Sequence, residues 1–139
     1  YLEGYDDFIL NVSSIPPSIE SYMNIIGSYN YDNLYKIFKN TDLLVVPSLC
    51  KETFSFVTLE ALSYGTPVLV STNVGAKDIV EDKKSGFIIS MDDNSLKEII
   101  LKLYKSRTIL IDINRYIMNN FSPLSIKEHA KQVLKFYDL

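Results

Sequence analysis

The sequence has 139 residues with 14 basic and 17 acidic side chains, which give a formal net charge of −3. This balance argues against a broad nucleic-acid surface, and the single cysteine, Cys50, excludes an internal disulfide. The single histidine, His129, excludes a Cys/His metal cluster, and no apolar run approaches the roughly 18 residues of a membrane span. We therefore expect one globular, cytoplasmic domain over residues 1–139 without a bound metal.

Short apolar runs without alternation recur along the chain, which is typical of strands buried on both faces. The predicted strands are residues 8–12, 23–26, 42–46, 68–70 and 87–89. Segments with helical periodicity fall between or after them, at residues 34–38, 56–64, 96–103 and 126–137. This alternation predicts an α/β fold, a doubly wound (Rossmann-like) parallel sheet with helices on both faces.

Local signals predict where several helices begin or end. Ser95-x-x-Glu98 and Ser125-x-x-Glu128 match the capping box, in which a serine and a glutamate three residues later satisfy helix-start amides. Gly65 follows the helix at residues 56–64, where a left-handed C-cap is expected.

Ligands of doubly wound sheets bind beyond the carboxyl ends of the strands. Three segments of this sequence lie there, at residues 27–30, 47–55 and 71–75. The middle one continues into a helix and carries two glutamates, Glu52 and Glu60, with seven uncharged residues between them. It is the candidate site.

Ser55 is the predicted N-cap of the helix at residues 56–64, its hydroxyl accepting from the amide of Val57 or Thr58. The remaining first-turn amides and the positive end of the helix dipole suit a phosphate or diphosphate. Carboxylates repel phosphate but accept strongly from the paired hydroxyls of sugars and riboses. The pattern fits a nucleotide-sugar, with the sugar at Glu52 and the ribose at Glu60, but the spacing alone does not favour it. The alternative is that both acids only complement the helix dipole.

The same residues resemble a known family, the retaining glycosyltransferases of the two-domain GT-B architecture (glycosyl transferases group 1). The similarity lies in Pro47-Ser48, Glu52-x-Phe54-Ser55, Leu59-Glu60-Ala61-Leu62, Gly65-x-Pro67-Val68, Val74-Gly75 with Ile79-Val80, and Ser85-Gly86-Phe87. It extends over nearly the whole chain and is most specific in residues 27–90. It implies that the chain is the C-terminal, donor-binding domain of such an enzyme.

The resemblance also implies roles for individual residues. Glu52 would be the catalytic glutamate at the transferred sugar, and Glu60 would bind the ribose. The sugar and diphosphate would meet the amides around Phe54, Ser55, Phe56 and Val57, and the loop of Gly27, Ser28 and Tyr29 would lie near the base. The family generally transfers sugars without a metal or another cofactor, to glycan, lipid or small-molecule acceptors.

Three departures from the family pattern stand out. Ser55 replaces the usual glycine, and Ala76 and Asp78 replace a glycine and a glutamate. The family's first strand, with its Arg and Lys, and its N-terminal acceptor domain have no counterpart in these residues. We therefore expect that the full enzyme includes that domain as a partner in the same polypeptide, with peripheral membrane association open, and that the chain alone lacks turnover.

Other interpretations of the sequence stay open. A non-catalytic Rossmann-like nucleotide-binding or interaction module would keep the same fold. A receiver domain is disfavoured because Pro47-Ser48 follows the third strand, and no Gly-rich dinucleotide or P-loop motif occurs. Lys51 and Lys77 either help to neutralise a diphosphate or are ordinary solvated lysines, and Cys50 is expected to be a bystander thiol.

Overall fold

The computed structural model describes residue 18 and residues 21–24, 27–90 and 92–137. The chain divides into two compact units, residues 1–31 and residues 32–139. The strands predicted at residues 8–12 and 23–26 lie wholly or partly outside the described residues.

The described elements alternate between helix and strand before a run of three helices. They are a 3-10 helix (Tyr31–Asn33), α1 (Leu34–Lys39), β1 (Leu44–Val46), α2 (Phe56–Ser63), β2 (Val68–Ser71), a second 3-10 helix (Gly75–Ile79), β3 (Gly86–Ile89), α3 (Asp93–Lys105), α4 (Thr108–Asn120) and α5 (Ile126–Phe136). The predictions for β1, β2, β3, α1, α2, α3 and α5 are confirmed. Helix α4 was not among the predicted elements.

The three strands form one parallel sheet in the order β1-β2-β3. Val45 lies opposite Leu69, and Leu69 in turn lies opposite Phe87. Strand β2 is central, and all four of its residues are fully buried. This burial on both faces explains why the strand is a continuous apolar run rather than an alternating one. The predicted α/β fold with a parallel sheet is confirmed.

Helix α2 packs against β1, β2 and the 3-10 helix Gly75–Ile79, and it buries Thr58, Ala61 and Leu62. Gly65 follows it with φ +78°, as predicted for a left-handed C-cap. The side-chain amide of Asn114 in α4 donates a hydrogen bond of 2.8 Å to the carbonyl of Gly65. The end of α2 is thereby tied to α4.

The two predicted capping boxes have different outcomes. In α5, Ser125 and Glu128 form the full reciprocal box, and the prediction is confirmed. In α3 the prediction is wrong, because Asp92 is the N-cap and its Oδ1 accepts from the amide of Ser95 over 2.8 Å. Ser95 lies inside the first turn, where its hydroxyl donates to the same carboxylate over 2.7 Å. An ionised carboxylate three residues earlier is the stronger acceptor for the helix start.

Candidate functional site

Two loops meet at the carboxyl edge of the sheet, one after β1 and one after β2. The amide of Glu52 donates to the carbonyl of Asn73 over 3.0 Å, and the amide of Gly75 donates to the carbonyl of Glu52 over 3.1 Å. Glu52 and Val74 thereby form an isolated parallel bridge. The backbone that carries Glu52 is consequently fixed beyond the end of the sheet, in the region where the topology predicts a ligand.

This close approach requires a glycine at position 75. A Cβ built on Gly75 would lie 2.7 Å from the carbonyl carbon of Thr53 and 3.0 Å from the carbonyl oxygen of Glu52. Both contacts are with backbone, which cannot rotate away as the end of a flexible side chain could. The absence of a side chain at Gly75 therefore lets the two loops touch.

Polar side chains from the end of β2 hold the first loop further along. The hydroxyl of Ser71, which is fully buried, donates to the carbonyl of Ser48 over 2.7 Å. The side-chain amide of Asn73 donates to the carbonyl of Leu49 over 2.8 Å, and to that of Ser48 over 3.3 Å. Ser71 also accepts from the amide of Asn73 over 3.2 Å, so its hydroxyl both donates and accepts. The loop after β1 is thus anchored to the most buried strand.

The Glu52 side chain has a partner within its own loop. The hydroxyl of Ser48 donates to Oε1 of Glu52, and both side chains are half-buried. The carboxylate is thus partly withdrawn from solvent and held from one side. Its second oxygen keeps the capacity to accept further hydrogen bonds.

Helix α2 begins after Ser55, which is the N-cap as predicted. The predicted hydrogen bond from a main-chain amide to the Ser55 hydroxyl is wrong. That hydroxyl accepts instead from the side chain of Thr58 over 3.0 Å, while the Thr58 amide donates to the Ser55 carbonyl over 3.1 Å. With φ at 169°, Ser55 has an extended backbone that any residue adopts, so replacing the family's glycine causes no strain here.

The first two amides of α2 are those of Phe56 and Val57, which cannot bond within the helix. Across the residues that the structure describes, neither amide donates to a protein acceptor. The Phe56 ring is 73% exposed and meets the Phe54 ring edge-on, with the centroids 5.4 Å apart. Two donors at the positive end of a helix dipole therefore follow directly after the Glu52 loop, an arrangement that can accept an anion.

Glu60 lies on the same helix, four residues after Phe56 and half-buried. At the usual rise per residue it lies roughly 6 Å further along the helix axis and approximately on the same side as Phe56. The structure thus places one predicted acid in the loop before the helix start and the other a little more than one turn after it.

The remaining predicted site residues have different surroundings. Gly27, Ser28 and Tyr29 belong to the unit of residues 1–31, where Gly27 has φ +69° and all three are exposed. Their predicted place near the base stays a prediction. Lys77, in the second unit, donates from Nζ to the carbonyl of Thr72 over 2.7 Å, so its charge lies near the loop after β2. Lys51 is exposed.

Sequence reasoning missed Ser71 and Asn73 and assigned no role to Ser48. Their signal was weak but real, because hydroxyl and amide side chains stand directly after the apolar runs of β1 and β2. Side chains at those positions emerge at the carboxyl edge of a parallel sheet, where polar groups can reach the neighbouring loop.

A cavity of about 380 Å³ lies at the opposite edge of the sheet. Asp42 and Pro67, which precede β1 and β2, line it together with Arg107 before α4. An ion pair between Arg107 and Asp42 crosses its rim, and both side chains are largely exposed. The cavity is thus at the amino ends of the strands and contains none of the predicted site residues.

The described part of the chain shows neither a candidate metal site nor a candidate membrane span. In those residues no three His, Cys, Asp or Glu side chains are grouped so as to hold a metal ion. No helix within the same ranges combines the length and the apolar character that crossing a bilayer requires.

Comparison with known proteins places this arrangement in a family. The model of the family described as Glycosyl transferases group 1 matches residues 18–120, which include the Glu52 loop, α2 and the loop after β2. The chain belongs to the glycosyl transferases group 1 family. The resemblance found in the sequence is confirmed.

Individual relatives in this family are similar over parts of the chain. An uncharacterised glycosyltransferase of Methanocaldococcus jannaschii is 41% identical over 61 residues, covering 44% of this chain and 15% of that protein. The D-inositol 3-phosphate glycosyltransferase of Corynebacterium jeikeium is 28% identical over 108 residues, covering 77% of this chain and 26% of that protein. The matched stretch therefore spans about 15% of the length of the first relative and about a quarter of the second.

Solved structures show the same fold. Anabaena HepE in complex with UDP superposes with a TM-score of 0.76 at 22% identity, covering 96% of this chain and 38% of that chain. The same protein in complex with UDP-glucose gives a TM-score of 0.73 at 21% identity, again covering 96% and 38%. Structural neighbours of this group 1 domain therefore bind a nucleotide and a nucleotide-sugar.

Proposed function

We propose that this group 1 chain is the C-terminal, donor-binding domain of a retaining, metal-independent glycosyltransferase that acts in the cytoplasm. The full enzyme would transfer a sugar from a nucleoside-diphosphate sugar to a glycan, lipid or small-molecule acceptor. The acceptor would be bound by an N-terminal domain of the same polypeptide. The observation that carries the proposal is the position of Glu52 in the loop before the start of α2, whose first two amides donate to no acceptor among the described residues.

Each part of the donor has a matching group in this proposal. The amides of Phe56 and Val57, with the helix dipole, bind the diphosphate and stabilise the charge that develops on it as the sugar leaves. The neighbouring backbone of Phe54 and Ser55 lines the path between diphosphate and sugar. Glu52 accepts from sugar hydroxyls near the reacting carbon, and Glu60 accepts from the ribose hydroxyls.

The relatives support a nucleotide-sugar as donor. HepE, whose fold this chain shares, has been solved with UDP and with UDP-glucose. Those two molecules are consequently the first probes for this chain.

Titration calorimetry with the 139-residue chain tests the proposal. The probes are UDP, GDP and ADP and their glucose conjugates, and we expect the chain to bind one diphosphate and its conjugate. Glu60→Ala should weaken binding of the diphosphate and binding of the conjugate equally, because both molecules contain the ribose. Glu52→Ala should weaken the conjugate only. Glu98→Ala, which removes an exposed acid from α3, is the matched control and should change neither affinity.

Two outcomes would overturn the proposal in different ways. If the chain binds none of the six probes, the donor-binding role is wrong. If it binds them but neither glutamate variant changes an affinity, the two acids only complement the helix dipole, which favours a nucleotide-binding module without transfer. Because the acceptor domain would be a separate part, we also expect no steady sugar transfer by the chain alone.

A further inference from the structure

The hydrogen bond between Ser48 and Glu52 joins two residues that the proposed function treats differently. Glu52 is the proposed sugar-contacting group, whereas the proposed function assigns Ser48 no part in donor binding. Both side chains are half-buried, and the Ser48 hydroxyl donates to Oε1 of the carboxylate. Because a carboxylate accepts and a serine hydroxyl can donate, the direction of this bond is settled by chemistry.

We propose that Ser48 is a positioning residue that sets the orientation of the Glu52 carboxylate toward the sugar of the donor. The inference rests on the proposed function and deepens it, because it names the group that determines how the sugar is recognised. Ser48 itself need not touch the donor.

A free glutamate side chain has three rotatable torsions, and its freedom is lost when it binds a sugar. Serine at position 48 removes part of that freedom before the donor arrives, because one carboxylate oxygen is already held. The second oxygen then presents its lone pairs in a defined direction. A sugar hydroxyl in the matching position would then bind without a further loss of torsional freedom by the glutamate side chain.

The backbone of Ser48 is itself held by hydrogen bonds from residues at the end of β2. Its carbonyl accepts from the Ser71 hydroxyl over 2.7 Å and from the Asn73 side-chain amide over 3.3 Å. Ser71 is the last residue of β2 and is fully buried. A rigid, buried strand thus fixes the serine backbone, and the serine fixes the glutamate, which is how precise binding groups are supported.

The backbone of Glu52 has separate support, which makes the side-chain effect testable. Its amide and carbonyl are bonded to Asn73 and Gly75, and neither bond involves the Ser48 hydroxyl. Removing that hydroxyl should consequently leave the loop in place while releasing the carboxylate.

Calorimetry with UDP and UDP-glucose measures the effect as the ratio of the two dissociation constants. Ser48→Ala should lower the preference for UDP-glucose over UDP by about tenfold to a hundredfold, the typical effect of a hydrogen bond to a charged group, while UDP affinity stays unchanged. Ser48→Thr keeps the hydroxyl and should restore the preference. Ser63→Ala is the matched control, because it removes a serine hydroxyl that bonds only the Leu59 carbonyl in α2. A merely structural role would weaken both ligands alike and would overturn the proposal.

A crystal structure of the Ser48→Ala chain, compared with that of the unaltered chain, gives a second measurement that needs no ligand. We expect the Glu52 carboxylate to leave its position while the bonds from Glu52 to Asn73 and Gly75 persist. An unmoved carboxylate would overturn the positioning role even if the chain binds UDP-glucose. If the unaltered chain binds no nucleotide, the proposed function fails, and a displaced carboxylate would still show that Ser48 orients Glu52.

Discussion

The main-chain amide of Gly75 donates to the carbonyl of Glu52 over 3.1 Å, and this bond joins the loops that follow β1 and β2. A Cβ at Gly75 would come within 2.7 Å of the carbonyl carbon of Thr53. The position of the proposed sugar-contacting glutamate, in the loop after β1, therefore depends on the absence of a side chain at Gly75, in the loop after β2. This relationship predicts that the glycine is needed for space rather than for backbone freedom.

Gly75→Ala should lower the free energy of unfolding by about 1–3 kcal/mol, the usual range for an overpacked site. It should also weaken donor binding, because the loop that carries Glu52 must move. Urea unfolding measures the first effect and calorimetry the second. Gly27→Ala is the control for the urea measurement alone: its φ of +69° costs about 1–2 kcal/mol for a non-glycine residue, but no described residue lies within 4 Å of the added Cβ. A loss of less than about 1 kcal/mol in Gly75→Ala would contradict the steric explanation.

Ser71→Ala should lower the free energy of unfolding by about 1–2 kcal/mol, because a buried hydroxyl that donates and accepts would be lost. The carbonyl of Ser48 would keep only its longer bond, 3.3 Å from the side-chain amide of Asn73. Urea unfolding of Ser71→Ala is compared with that of Ser63→Ala, which removes an exposed hydroxyl and should change stability by less than about 0.5 kcal/mol. A loss no larger than that of Ser63→Ala would show that the buried hydroxyl adds nothing to the loop anchor.

Lys83 is the one non-glycine residue with positive φ in the part of the chain that the structure describes, at +64°. A left-handed conformation costs such a residue about 1–2 kcal/mol, and the extra freedom of unfolded glycine offsets part of that. Lys83→Gly should therefore raise the melting temperature. Lys84→Gly is the control, because Lys84 lacks the positive φ and its Nζ bonds to Glu81 over 3.2 Å. That variant should be destabilised, and a similar response of both lysines would argue against relief of backbone strain.

The fold was largely predictable because its sheet is buried on both faces. Strand β2 reads as a continuous apolar run since every residue in it is fully buried, and Gly65 marks the end of α2 with its positive φ. Helix α4 was not predicted, although Ile113 and Ile117 are buried at helical spacing. It is rich in β-branched isoleucine and in asparagine, which are weak helix formers, and its N-cap, Arg107, makes no side-chain cap bond.

The candidate site was predictable only where its residues are neighbours in sequence. Glu52, Ser55 and Glu60 fall within nine residues, so spacing alone placed them at one helix start. The contacts of Ser71 and Asn73 with the first loop join residues 23 to 25 positions apart. Such contacts depend on β1 and β2 being adjacent and parallel, which no local pattern encodes.

The N-cap of α3 gives a prediction for pH. Hydrogen bonds from the side chain of Ser95, then from Ser90 and from the Ser95 amide, lower the pKa of Asp92 from 3.8 to about 2. Because the folded-state pKa is the lower one, the stabilisation from Asp92 is complete above about pH 4 and is lost as pH falls through 2. Asp92→Asn keeps a good N-cap oxygen without a titrating group. The difference in unfolding free energy between the two proteins should therefore be constant above pH 4 and should shift in favour of the asparagine variant below it. A difference that stays constant down to pH 2 would mean that ionisation of Asp92 does not stabilise the folded protein.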